Sequence, residues 1–170
     1  YDGSRNIVAV YAGDKHGNLW KFNLSSDDKN QWASVLGPVA NPRPLFKATD
    51  SGGVAQPISA APRITPHPLG GLFVTFGTGK LFEVSDPTDM QVQSLYAVRD
   101  VGQVPTDPTI LPSDLKQIRL EQFNFDHDGN ALTPDEAFRR LKVADVNAFR
   151  AAPQNGFYIP LINANTMVAD

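Results

Sequence analysis

Short apolar runs and turn residues alternate along residues 1–100, in a pattern that is typical of β-strands. Residues 7–12 (IVAVYA) form an apolar run with β-branched side chains, which predicts a buried strand. Gly17 and Asn18 tolerate positive φ, so we expect a tight turn there. Residues 19–24 (LWKFNL) then return as a second strand. The pattern therefore predicts a β-hairpin.

A second unit of the same kind follows the first. Residues 44–48 predict a short strand that closes the first unit, and residues 56–64 are extended because their two prolines disfavour helix before them. Two further strands are predicted at residues 72–76 and 93–99. We expect the chain to continue outward as an extended strand at residues 80–84. Such blocks recur at roughly 40 to 50 residues, which is the period of propeller blades.

Residues 102–155 are more charged, and two interpretations of them stay open. Apolar and polar residues partly alternate over residues 117–125 and 138–146, which predicts a long hairpin with an acidic tip. Alternatively, Ser113 and Thr133 cap two helices, since Thr133 is followed by proline, aspartate and glutamate as in a capping box. We favour the hairpin, with a short helical turn directly after Thr133.

These elements predict an all-β fold, namely a β-propeller fragment of about three blades with an inserted acidic hairpin or short helical excursion. We assign residues 1–100 to the blades and residues 101–155 to the insertion. Residues 156–170 return to the propeller, with a final strand at residues 156–162. A closed ring needs at least about four blades, so we expect the others to come from sequence outside this chain.

Composition and charge exclude some classes of partner. The formal net charge is −3, and the lysines and arginines are scattered, whereas a nucleic-acid partner requires a basic patch. No apolar run approaches the roughly 20 residues that span a bilayer, so we expect no transmembrane segment in this chain. The chain has no cysteine, so disulfides give no indication of its compartment.

The acidic tip contains the sharpest candidate for a binding site. Ca²⁺ binds roughly six to eight hard oxygen ligands, and alternate residues of a short loop point toward one centre. The spacing resembles that of an EF-hand loop, with Gly129 at the sharp turn. The candidate ligands are Asn124, Asp126, Asp128, Asn130 and Asp135.

A solvated turn is the alternative for this segment, with Thr133 acting as a helix cap. The first ligand is Asn124 rather than aspartate, and the last is Asp135 rather than the bidentate glutamate typical of such loops. His127 interrupts the alternation, so we interpret it as solvent-facing.

Several conspicuous residues have a structural interpretation. Asp14 is expected to bind turn amides, and Trp20 and Trp32 are expected to pack within the blades. The sequence has no nucleophile elbow and no zinc-protease motif, which argues against an enzyme. We assign three further aspartates to loops, and the sequence reveals no interaction partner for any of them: Asp86, Asp89 and Asp100.

Three recognisable motifs lie at residues 11–22 (YAGDKHGNLWKF), 56–62 (QPISAAP) and 76–80 (FGTGK). Together they resemble the C-terminal β-propeller of the PilY/PilC family, which is associated with the tip and biogenesis of type IV pili. Residues 156–161 (GFYIPL) resemble a strand motif of that family, whereas residues 101–155 depart from it.

The resemblance also implies a second oxygen cluster at the start of the chain. In the PilY/PilC family an acidic calcium loop precedes the YAGD motif, and Asp2 and Gly3 match its later Asp-Gly pair. Asn6 stands where the last aspartate would be, and Arg5 adds a charge of the wrong sign. The resemblance therefore implies Asp2 and Asn6 as ligands of a working or a degenerate calcium site, and an ordinary hairpin turn is the alternative.

The resemblance implies a non-enzymatic factor for pilus assembly and adhesion that is modulated by calcium. Its place would be extracellular, at the outer membrane or the pilus tip of a Gram-negative bacterium. Its partners would be minor pilins and host or abiotic surfaces.

Two other classes compete with this interpretation. Quinoprotein dehydrogenases also use propeller blades with similar turns, but they need a pyrroloquinoline quinone, a calcium ion and a carboxylate base. A propeller that serves only as an inert scaffold for protein interactions is the third class. Quinone absorbance and calcium-dependent melting separate the three.

Overall fold

The fold is described from a computed structural model, which covers residues 6–123, 128–131, 133, 138–151 and 155–161. Most elements in these residues are strands. In chain order they are β1 (Ala9–Gly13), β2 (Asn18–Asn23), β3 (Ala33–Ser34), β4 (Phe46–Lys47), β5 (Arg63–Pro66), β6 (Leu72–Gly77), β7 (Ser94–Asp100), β8 (Lys116–Gln117), β9 (Leu120–Phe123), β10 (Phe138–Leu141) and β11 (Gly156–Pro160). Helix α1 spans Val143–Ala151, and 3-10 helices lie at Lys29–Gln31, Asp86–Thr88 and Pro112–Asp114.

Sheet 1 is built on the predicted hairpin, which is confirmed. β1 pairs antiparallel with β2, and both β3 and β4 pair with the opposite edge of β2. The tight turn is present, but of its two predicted residues only Gly17 lies in the loop, because Asn18 already belongs to β2. The loop between the two strands has four residues, 14–17, and it is closed by the Asp14 amide donating to the Asn18 carbonyl at 3.0 Å. Gly17 takes a φ of 77°, the left-handed conformation that this loop requires.

Sheet 2 has five strands in the order β5-β6-β7-β11-β8. The first four run antiparallel to their neighbours, and β8 lies parallel to β11 at the outer edge. The predicted final strand is therefore present, and it pairs with β7 although a long segment separates the two in sequence.

The outward strand expected at residues 80–84 is wrong. The chain curls there into the 3-10 helix Asp86–Thr88. The cause is the Asp86 carboxylate, whose Oδ2 accepts the amides of Phe82 at 2.9 Å and Glu83 at 2.8 Å. A side chain that captures nearby amides in this way competes with strand pairing.

The insertion contains both of the elements between which the sequence left a choice. β9 and β10 form an antiparallel hairpin, which confirms the favoured interpretation over a shorter span. A helix follows it, but α1 begins at Val143 rather than near Thr133. Ser113 lies in the 3-10 helix Pro112–Asp114 and caps no α-helix. The helical turn expected directly after Thr133 lies outside the described residues.

Residues 104–118, here called the strap, join the outer edges of both sheets. Ile110 forms a parallel bridge with Phe46 of β4, donating to the Leu45 carbonyl at 2.9 Å. The Arg43 guanidinium reaches the strap from sheet 1 and donates to the Pro105 carbonyl at 2.9 Å. At its other end the strap contributes β8 to sheet 2. The strap therefore satisfies edges that would otherwise be open for pairing.

The core lies between the facing surfaces of the two sheets. Alternate residues of each strand point inward, and cross-strand partners share a face. Phe46 of sheet 1 packs on Tyr96 and Phe76 of sheet 2 at ring-centroid distances of 5.0 and 5.9 Å. Burying one such aromatic or aliphatic side chain contributes about 1.5–3 kcal/mol. Among the described residues, the largest fully buried side chains are Leu19, Leu36, Leu45, Phe46, Gln56, Val74, Tyr96 and Val98.

The described residues form two multi-stranded sheets and one separate hairpin, where about three blades were expected. β9, β10 and α1 lie between β8 and β11 in the chain, so the separate hairpin and the helix are inserted before the last strand of sheet 2. The division of the chain at residues 100 and 155 stays a prediction.

Candidate functional site

The predicted calcium loop is described only in part. Asp128 and Asn130 are exposed, and Gly129 has a φ of 84°, as a sharp turn requires. Asn124, Asp126 and Asp135 lie outside the described residues. Among the residues that the structure does describe, no three histidine, aspartate or glutamate side chains are grouped as a metal site.

The second predicted cluster is likewise incomplete. Asn6 is exposed and precedes β1, whereas Asp2 lies outside the described residues. Calcium binding at either cluster therefore stays a prediction.

Asp14 organises the β1–β2 turn, as the sequence predicted. Its Oδ1 accepts the amides of His16 and Asn18 at 2.8 and 3.0 Å, and its Oδ2 accepts the Trp20 indole N–H at 2.9 Å. Burial opposes the charge of this carboxylate, but the hydrogen bonds outweigh it and hold the Asp14 pKa below its ordinary value. The role of Asp14 is therefore structural.

The two tryptophans differ from each other. Trp20 stacks with Phe22 on the face of sheet 1 that points away from sheet 2. Trp32 is 49% exposed, so the expected packing within a blade is wrong for this residue. The Trp32 indole N–H donates instead to the Ser26 carbonyl at 2.9 Å, which fixes the ring over the loop.

Asp100 joins the two sheets through two residues of the first motif. Tyr11 and Lys21 are cross-strand partners, so both side chains leave the same face of sheet 1. The Tyr11 hydroxyl donates to the Asp100 carboxylate, and the Lys21 ammonium lies 2.6 Å from its Oδ2. The Gly102 amide donates to its Oδ1 at 2.8 Å. These three side chains, Tyr11, Lys21 and Asp100, are called the Asp100 clamp.

The clamp is buried, and its electrostatics depend on that burial. Asp100 is 2% exposed, and although burial opposes its charge, the bonds from Lys21 and Tyr11 hold its pKa below the ordinary value. Burial, and then donation to Asp100, raises the pKa of Tyr11 well above its usual range. The clamp is therefore an ionised pair with a neutral phenol at physiological pH.

The second motif contributes a buried amide to the same interface. Gln56 is 1% exposed, and its Nε2 donates to the Val92 carbonyl at 2.6 Å and to the Ser94 hydroxyl at 3.1 Å. Its Oε1 accepts the Tyr96 hydroxyl at 2.6 Å. Burial raises the pKa of Tyr96 to about 12, so this phenol stays protonated. Gln56 therefore satisfies polar groups that the core encloses.

The third motif ends at Lys80, which anchors the loop after β6. Its ammonium lies 2.6 Å from Asp86 Oδ1 and also contacts Glu83. The bond to Lys80 is the main cause that lowers the pKa of Asp86. Sequence reasoning missed the partners of Asp86 and Asp100. A lysine six residues before Asp86 was the only local signal, and the clamp had none.

Small antiparallel sheets that follow one another in the chain and pack face to face are the arrangement of neighbouring blades in a β-propeller. Residues 1–122 match the family model described as the PilY1 beta-propeller domain. The chain therefore belongs to the PilY1 β-propeller domain family, and the resemblance stated from its motifs is confirmed.

Curated relatives and a solved structure agree with this membership. The type IV pilus biogenesis factor PilY1 of Pseudomonas aeruginosa is 31% identical over 93% of this chain, and a PilY1 homolog of Xylella fastidiosa is 37% identical over 59%. These alignments span 15% and 7% of the two relatives. The crystal structure of the P. aeruginosa PilY1 C-terminal domain matches 89% of this chain with a TM-score of 0.62 at 28% identity, using 35% of that domain's chain.

These likenesses confirm the all-β propeller fold. The family match continues to residue 122, so it includes the strap and goes beyond the motifs on which the resemblance was based. In the part of the chain that the structure describes, no helix is both long and apolar enough to cross a membrane.

Proposed function

We propose that this chain is a propeller segment of a non-enzymatic type IV pilus biogenesis factor at the cell surface or pilus tip. The observation that supports this most strongly is the 31% identity to PilY1 of P. aeruginosa over 93% of the chain. The motif residues Tyr11, Lys21 and Gln56 support it further, since each joins the two sheets.

A gene replacement tests the proposed role. In the bacterium that encodes the chain, deletion of the gene is expected to reduce the pilin recovered by shearing cells, and the intact gene in trans restores it. Immunoblots of sheared and whole-cell pilin measure the effect. Unchanged sheared pilin in the deletion strain would contradict the proposal.

We further propose that calcium modulates this function through the loop at residues 124–135 and the cluster at Asp2 and Asn6. Exposed Asp128 and Asn130 and the left-handed Gly129 support the first site. Calcium is expected to raise the melting temperature of the protein, because a ligand that binds only the folded state stabilises it. Combining Asp126→Ala with Asp128→Ala is expected to abolish that increase.

A control separates the loop from general charge effects. Asp27 is exposed and has the same charge, so Asp27→Ala is expected to keep the calcium-dependent increase. An equal increase in the double variant and the wild type would remove this loop as a calcium site.

Adhesion and the absence of enzymatic activity also belong to the proposal. The partners are minor pilins and host or abiotic surfaces, and both named relatives are pilus biogenesis factors rather than dehydrogenases. The absorbance spectrum of the purified protein tests the alternative, since a bound quinone absorbs in the visible and near-ultraviolet range. A stoichiometric quinone band would overturn the non-enzymatic assignment.

A further inference from the structure

A cleft of about 690 Å³ opens between the outer parts of the two sheets. Lys47 and Thr49 line it from sheet 1, Tyr158 and Gln117 line it from sheet 2, and Ser113 of the strap borders it. Its volume falls within the range of about 300–1,000 Å³ that is typical of small-molecule sites. Gln56 of the second motif and Tyr158 of residues 156–161 also line the cleft, but no expectation from the sequence assigned a ligand to it.

Several polar side chains of the cleft are not engaged by the rest of the described chain. Within the described residues, the Tyr158 hydroxyl and the Ser113 hydroxyl have no hydrogen-bond partner, and the Lys47 ammonium has no ion pair. Burial raises the pKa of Tyr158, so its hydroxyl keeps a proton to donate. These groups are available for a ligand.

The backbone around the cleft is already paired, which argues against an added peptide strand. The Lys47 amide donates to the Ile110 carbonyl at 3.0 Å, and the Ile118 amide donates to the Tyr158 carbonyl at 2.8 Å. A peptide that adds a strand needs a free edge of amides and carbonyls. A ligand of this cleft must instead be recognised by side chains.

The charges of the cleft favour a neutral ligand. Lys47 supplies a positive charge and Asp50 a negative one. The Asp50 carboxylate already accepts the Gln91 amide at 3.0 Å and the Val54 backbone amide at 2.9 Å, and these bonds lower its pKa. Because the two charges oppose each other, a strongly charged ligand gains little here.

Rigid apolar surfaces complete the cleft. The ring of Tyr158 stacks on buried Tyr96 at a centroid distance of 5.6 Å and an interplanar angle of 20°, so its position is fixed. Pro112 and Pro160 add further apolar lining. Fixed apolar faces beside hydroxyl and amide groups match a sugar ring, which has apolar C–H faces and a rim of hydroxyls.

From these observations we propose that the cleft between the sheets binds a neutral saccharide of one or two units. The Tyr158 and Ser113 hydroxyls and the Gln117 amide bind the sugar hydroxyls, and the prolines and the Tyr158 ring contact the C–H faces. This site goes beyond the proposed pilus function and does not depend on it.

Saturation-transfer NMR on the full-length protein tests the proposal with lactose, maltose, cellobiose and N,N′-diacetylchitobiose as probes. At least one disaccharide is expected to bind with a Kd on the order of 1 mM. Tyr158→Phe removes only the hydroxyl and keeps the ring stacking, and Ser113→Ala changes an exposed residue. Each substitution is expected to weaken binding about three- to tenfold, the effect of losing one hydrogen bond.

Gln117→Ala is expected to weaken binding to a similar extent. Gln31→Ala is its matched control, because Gln31 is exposed and does not line the cleft. The control is expected to bind like the wild type, and melting temperatures verify that every variant is folded. The proposal is overturned if none of the four disaccharides binds, or if folded Tyr158→Phe and Ser113→Ala both bind with wild-type affinity. Binding of a neutral Ala-Ser pentapeptide in place of the sugars would overturn it as well.

Discussion

At the scale of single residues, Asp100 concentrates the interactions that join the two sheets. Its carboxylate is 2% exposed and receives the Tyr11 hydroxyl, the Lys21 ammonium and one backbone amide. Buried ion pairs are costly to desolvate, so their intact form adds modest stability, but the loss of one partner leaves an uncompensated charge. The clamp therefore contributes mainly to specificity: it disfavours any packing of the two sheets that would separate Asp100 from Lys21.

Asp100→Asn is expected to lower the free energy of unfolding by about 3 kcal/mol, because Lys21, whose side chain is only 14% exposed, loses its counter-charge. Urea unfolding followed by fluorescence measures the change. Asp27→Asn, at an exposed position, is the control and is expected to change stability by less than about 0.5 kcal/mol. Equal stability of the two variants would show that the clamp does not hold the sheets together.

Asp145 provides a residue-scale test of pH dependence. It accepts the Arg119 guanidinium at 2.9 Å, and this bond, against the opposing effect of burial, lowers the Asp145 pKa from 3.8 to about 2. A lowered pKa means that the stabilisation is complete above the unfolded value and is lost as the pH falls through the folded value. Arg119 is 54% exposed, so solvent screening keeps the effect below about 1 kcal/mol.

The wild type is therefore expected to lose this contribution between pH 3.8 and about 2. Asp145→Asn lacks it, so the difference in stability between the two proteins should shrink over that range. Thermal melts at closely spaced acidic pH values measure the difference. A constant difference down to the lowest pH would contradict the lowered pKa.

At the scale of elements, the pairing of β11 with β7 depends on Gly156. This glycine has a φ of 135°, and a Cβ placed on it would lie 1.9 Å from the Ala97 carbonyl oxygen. No side chain fits there unless β7 and β11 separate. The close approach explains why the chain has glycine at the start of its last described strand.

Gly156→Ala is expected to destabilise the protein by more than about 2 kcal/mol, because conformational strain and a steric clash act together. Gly102→Ala is the matched control, since Gly102 has a φ of 89° but no atom within 4 Å of its added Cβ. The control should cost only about 1 kcal/mol. Chemical denaturation measures the free energy of unfolding of both variants. Equal losses would mean that a small shift of the backbone relieves the clash at residue 156.

At the scale of the whole molecule, local sequence patterns predict where strands form. They do not predict which residues distant in sequence those strands contact. The apolar run of residues 7–12, the returning residues 19–24 and the turn residue Gly17 sufficed to predict the first hairpin. Lys80 and Asp86 are close in sequence, yet the curl that they produce was missed, because the three apolar residues among residues 81–84 (LFEV) are also typical of a strand.

The remaining features depend on contacts between distant residues. Asp100 lies 89 residues from Tyr11, and nothing in its neighbours indicates a buried partner. The cleft is formed by four separate stretches of the chain, so it too has no local signature. The candidate calcium ligands were predicted from spacing within one loop, and their binding stays a prediction.

The strap makes the two sheets a single cooperative unit. Ile110 is 7% exposed and bridges to β4, so Ile110→Ala is expected to cost about 2–4 kcal/mol through the cavity that it leaves. Hydrogen exchange should show lower protection in both β2 and β11. Leu111→Ala is the control, since Leu111 is 43% exposed and should cost less than about 1 kcal/mol. Loss of protection in only one sheet would contradict the cooperative unit.

The strap follows β7 of sheet 2 in the chain, yet it pairs with β4 of sheet 1. Sheet 1 therefore cannot complete its pairing before most of sheet 2 has been synthesised. β4 ends at Lys47, yet its neighbour Ile110 leaves the ribosome only after a further 3 to 12 seconds or so at ordinary elongation rates. During that interval the nascent chain presents an unpaired strand edge, which other polypeptides can bind. Translation speed across residues 48–110 should therefore govern how much of the protein reaches its native state, and a chaperone that covers β4 would be most effective in that interval.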